Sequence, residues 1–69
     1  MGMFTFNYQD FYSSMDEIKT RIHVIKTFLD EREKASRKNN WINQADSIKG
    51  DLELLDEVKE LLLEIESNY

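Results

Sequence analysis

The chain contains no cysteine and no proline, and glycine stands only at positions 2 and 50. Without cysteine there is no disulfide to staple a small fold and no thiolate to act as nucleophile or metal ligand, which suits a reducing compartment. Without proline, little in the chain interrupts a helix, and a composition led by Leu, Ile, Glu, Lys and Asp favours long helices over turns and strands. Only one histidine is present, so neither an HExxH nor an ExxH pairing exists, and no glycine-rich loop is available to hold phosphate. His23 falls one position off the main apolar line and reads as a surface side chain. Carboxylates at helical spacing, such as Asp56 and Glu60, read as an exposed face in the absence of histidines. These absences predict a chain that is not an enzyme and uses no cofactor or metal.

Long hydrophobic runs are also missing. The longest, Leu61-Leu62-Leu63, is flanked by acids and falls far short of the ~20 residues a membrane-crossing helix needs. The N-terminus has no basic region or small-residue cleavage site, and Phe6 stands where a myristoylation motif carries Ser or Thr. The expected location is cytoplasmic, with Met3 as an alternative natural start behind Met1-Gly2.

What is present is a long apolar line. Phe4, Tyr8, Phe11, Met15, Ile18, Ile22, Ile25 and Leu29 follow one another at alternating steps of four and three, the spacing of one seam along a helix that packs on another helix. Tyr8, Met15, Ile22 and Leu29 take heptad position a, and Phe4, Phe11, Ile18 and Ile25 take d. Ser13 and Ser14, each followed three residues later by Asp16 or Glu17, offer overlapping capping boxes, so helix 1 is expected over residues 14–38. Residues 1–12 form an aromatic arm or a short helical turn, since Phe4-Thr5-Phe6-Asn7-Tyr8 also alternates with a period of two. Five of the eight aromatics lie there, too many for a solvated tail. The plain reading is a lid over the open end of a hairpin, and the sharper one is a protein-docking patch.

Basic residues Arg32, Lys34, Arg37 and Lys38 crowd the end of helix 1, where unpaired carbonyls favour positive charge. Asn39-Asn40 follows, suited both to the left-handed position that ends a helix and to the N-cap that opens the next. Helix 2 is expected over 41–67, with Trp41, Ala45, Ile48, Leu52 and Leu55 on its inner side. Gly50 inside it marks a kink or makes room for a bulky neighbour such as Phe28 or Leu29, with close approach the preferred account and a break into three helices the alternative.

Beyond Gly50 the apolar residues spread over about half the helix circumference at ~100° per residue, more than one partner helix covers. The fold expected is therefore all-α, an antiparallel, coiled-coil-like helical hairpin that dimerises into a four-helix bundle, as suits a chain of 69 residues whose own core leaves little surplus stability.

Charge is uneven along the chain. Residues 1–50 carry eight basic and seven acidic side chains, and residues 51–69 carry one basic and seven acidic. Glu53, Glu57, Glu60 and Glu64 form an acidic stripe that reads as a solvated face or as a docking surface for a basic partner. Nucleic-acid binding is disfavoured, because the basic cluster is short and has only Trp41 as a nearby aromatic. The function expected is a protein-binding module working through helix-helix contacts, as a regulator, inhibitor or chaperone-type subunit. Its candidate contacts are Phe6, Tyr12, Trp41 and Leu63 with the acidic stripe. The alternatives are an oligomeric binder of a small anion such as a nucleotide, through Lys26, Arg37, Lys38 and the Tyr8/Tyr12 aromatics, and a structural assembly protein.

Overall fold

The computed structural model describes residues 5–69; Phe4 at the head of the seam and the Met1-Gly2-Met3 segment lie outside the described residues. Two helices make up the fold, α1 (Tyr8–Lys38) and α2 (Ile42–Ser67), folded back on each other as an antiparallel hairpin.

Helix α1 begins at Tyr8 and not at Ser14. Asn7, in an extended conformation, accepts a hydrogen bond from the Asp10 amide through its side chain at 3.0 Å, filling the role the capping boxes offered further along. Ser13 and Ser14 are then helix-interior residues, and the first turn gains an acid, Asp10, where the helix dipole favours one. Thr5-Phe6-Asn7 remain as a short extended arm.

The turn falls at the expected asparagines, but they share the work differently. Asn40 takes φ 60°, the left-handed position. The Trp41 amide donates to the Ser36 carbonyl at 2.8 Å and the Asn40 amide to the Arg37 carbonyl at 3.1 Å, the paired bonds of a Schellman closure. Asn39 adds a side-chain bond to the Ala35 carbonyl at 2.9 Å. Neither asparagine caps α2; Trp41 occupies its N-cap without a side-chain hydrogen bond, because both asparagines are used in ending α1.

Helix α2 is continuous through Gly50. A Cβ built there would meet nothing within 4 Å, so a bulky neighbour does not explain this glycine, and the chain does not break into a third helix there. The helices come together on other small residues. Ser36 and Ala45, beside the turn, are fully buried, and the Ser36 hydroxyl donates to Gln44 Oε1 at 3.0 Å.

Among the described residues, Met15, Ile22, Ala45 and Ile48 form the buried apolar core. Lys19, Lys26, Leu29 and Glu33 on α1 and Leu52, Leu55, Leu62 and Glu66 on α2 are half-buried beside them. The line on α1 that faces α2 therefore runs through heptad positions a and e. The d residues Ile18 and Ile25 stay exposed, while the lysines at e pair with acids on α2.

Candidate protein interface

The two long flanks of the hairpin differ in chemistry. On one, Lys19 Nζ donates to Glu66 at 2.9 Å, Lys26 pairs with Asp56, and Arg37 reaches Asp46 at 3.3 Å. Three cross-helix ion pairs thus close this side from the open end to the turn. The hydrogen bond to Glu66 is the main reason the Lys19 ammonium is held above its ordinary value, with Asp16 adding to it against partial desolvation. The Arg37 guanidinium is likewise raised, chiefly by its bond to Glu33.

Helical geometry places the apolar surplus on the other flank. Taking Ile22 as the inward direction, Lys19 and Lys26 turn away by about 40–60° to one side, and Ile18 and Ile25 by about 40–60° to the other, with Phe28 further round and Arg21, ion-paired to Glu17, among them. On α2, Leu54, Val58, Leu61 and Ile65 lie about 80–140° from Ile48 in the same rotational sense. In an antiparallel pair that sense brings both sets to one side of the hairpin. A shallow open groove lined jointly by Ile25, Leu29, Leu54, Leu55, Val58 and Asp51 marks where they meet. The exposure is large: 68% for Phe28, 59% for Leu54 and 58% for Leu61.

Sequence spacing groups Leu54, Val58, Leu61 and Ile65 on one side of α2 but does not join them with Ile18, Ile25 and Phe28 of α1 as one surface. Their grouping depends on how far α2 is rolled toward the charged flank. The signal available in the sequence was the lysines, Lys19 and Lys26, placed to meet Glu66 and Asp56 once the chain folds at the asparagines.

The residues expected to form sites are dispersed. Phe6 and Tyr12 are half-buried in an aromatic cluster at the open end, where Phe6 lies 4.7 Å from Tyr8, 5.2 Å from Phe11 and 5.0 Å from Tyr69 between ring centroids. Phe11 in turn lies 5.3 Å from Tyr12 and 5.0 Å from Tyr69. The arm thus packs over the open end of the hairpin, held by the last residue of the chain. Trp41 is half exposed at the far end. Leu63, 200° from Leu61 by ~100° per residue, faces the ion-paired flank. Glu53, Glu57, Glu60 and Glu64 are exposed on the outer back of α2 and make no ion pair among the described residues.

The proposed anion-binding set is spread along α1. About 27 Å of helix separates Tyr8 from Lys26, and about 16 Å separates Lys26 from Arg37. Lys26 and Arg37 are each paired with carboxylates, so within one chain these residues form no common pocket. Among the described residues, no group of His, Cys, Asp or Glu is placed to hold a metal ion, and no helix is long and apolar enough to cross a membrane.

The class that fold and surface define is a two-helix hairpin with cross-helix ion pairs along one long flank and most of its exposed apolar side chains along the other. No family model matches the chain. No characterised protein and no solved structure matches it either.

Proposed function

We propose that the chain is a non-enzymatic protein-binding module, a small regulator, inhibitor or chaperone-type subunit, that works by helix-helix contact through its apolar flank. Its resting state is a homodimer in which two such flanks close into a four-helix bundle.

One observation carries this reading. The accessible surface is 5737 Å² for 8.3 kDa, whereas a compact monomer of that mass exposes about 4600 Å². The excess of roughly 1100 Å² is comparable to the ~800 Å² that one partner contributes to a standard interface. The radius of gyration agrees: 17.0 Å against about 11 Å for a compact chain of this length. Large apolar side chains that a monomer leaves in water are buried when helices pack on that flank.

Light scattering over a dilution series, with helicity followed by circular dichroism, tests the reading. A dimeric mass whose helicity falls on dilution supports it. A monomeric mass with unchanged helicity at every concentration refutes the self-association.

A further inference from the structure

Resting on that reading, we propose that the occupant of the apolar flank is a second copy related by a two-fold axis perpendicular to the helices, with the two Asn39-Asn40 turns at opposite ends of the bundle. The flank permits this. On α1 it runs from Ile18 to Phe28 and on α2 from Leu54 to Ile65, and the cross-helix pairs Lys19–Glu66 and Lys26–Asp56 set these two stretches at the same height. Its midpoint, near residues 23 and 60, falls close to the middle of α1 (Tyr8–Lys38). A two-fold through that midpoint lays the patch on its own copy over its whole length, with α1 against α1 and α2 against α2.

Charge selects this arrangement over the one with both turns at the same end. Divided at the midpoint, the turn half (residues 24–59) carries seven basic and eight acidic side chains. The open half (5–23 and 60–69) carries two basic and six acidic. With the turns together, two halves of net charge −4 lie side by side, an unfavourable meeting at separations near the Debye length of about 8 Å at physiological salt. With the turns apart, each acidic half lies beside a nearly neutral one carrying Arg32, Lys34, Arg37 and Lys38. The same opposition suppresses the parallel alternative without help from any single contact.

The chain has no cysteine, so one label site can be introduced at will. Lys38, exposed at the end of α1 and free of ion pairs among the described residues, serves as the site: Lys38→Cys in the full chain carries a nitroxide. Its distance to the second copy is measured by pulsed electron resonance at a concentration where the mass is dimeric. Turns at opposite ends place the labels about 45 Å apart, from ~1.5 Å of rise per residue on either side of the axis. Turns at one end place them within about 25 Å, since packed helices lie 8–10 Å apart. A second pairing, Lys38→Cys in one copy and Ser14→Cys in the other, gives the converse: short for opposite ends, long for the same end. A dimeric mass with the distances interchanged overturns the arrangement and leaves the protein-binding reading standing. A monomeric mass overturns the second copy as occupant and the self-association together.

Discussion

Phe6 and Tyr69 stack with ring centroids 5.0 Å apart and planes 4° from parallel, joining the arm that precedes α1 to the residue that follows α2. The contact stands at the open end of the hairpin, and it is tied into Phe11 from both sides. An aromatic pair of this kind contributes about 0.5–1.5 kcal/mol beyond its buried area.

Tyr69→Ala is therefore expected to loosen the open end without melting the hairpin. Hydrogen exchange is the measurement: amides in the first turns of α1 and the last turns of α2 exchange faster, while those flanking Asn39-Asn40 are unchanged. Uniform acceleration along both helices would mean that the cluster holds the whole fold and not its end.

Lys19 gives a pH dependence with a definite sign. Its folded-state value is raised above 10.5, chiefly by Glu66, so its contribution to stability is complete below the unfolded value and is lost as pH rises through the folded one. Thermal stability should hold through neutral and mildly alkaline pH and decline beyond about pH 10.4, the ordinary lysine value. The comparison is with Lys19→Met, whose alkaline decline should be smaller. Identical declines in the two proteins would remove Lys19 from the account.

Leu61 and Leu63 are two residues apart on α2 and lie on opposite flanks. Leu61→Lys is expected to abolish the dimeric mass and lower helicity to that of the diluted parent, whereas Leu63→Lys leaves both unchanged. Loss of the dimer in both variants would place the interface around the end of α2 instead of along the flank. Equal tolerance of both would move it away from Leu61.

Gly50→Ala should stabilise the chain by about 0.5–1 kcal/mol, because alanine has the higher helix propensity and the added Cβ meets no neighbour within 4 Å. Chemical denaturation measures it. A destabilised variant would show that the assembled state approaches this position closely.

The hairpin and its turn were legible because a long helical period ending in paired asparagines has few other solutions. The start of α1 was not. Ser13 and Ser14 carry a stronger local capping pattern than Asn7, and only packing of the aromatic cluster decides that the helix reaches back past them. The division of the apolar line was hidden for a related reason. Heptad spacing identifies an apolar stripe but not which half of it faces inward, and here the e lysines Lys19 and Lys26 meet acids on α2 while Ile18 and Ile25 stay exposed. Ser36 is polar by composition, yet it is fully buried because the helices are closest beside the turn and Gln44 accepts its hydroxyl. The acidic stripe was legible as a line of residues, and its outward position follows directly from its spacing.

The closure at Ser36 to Trp41 leaves the connection no slack, and this gives the turn a task beyond reversing the chain. A residue inserted within the first turn of α2, behind that closure, would rotate every later position of the helix by about 100° about its axis, carrying Glu66 and Asp56 off the lysines and Leu54, Val58 and Leu61 off the side shared with Ile25. The tight turn thus acts as a fixed origin of phase: counted from it, the helical spacing of α2 decides which side chains reach each flank, and one residue inserted behind it within α2 would erase that two-sidedness while leaving both helices intact.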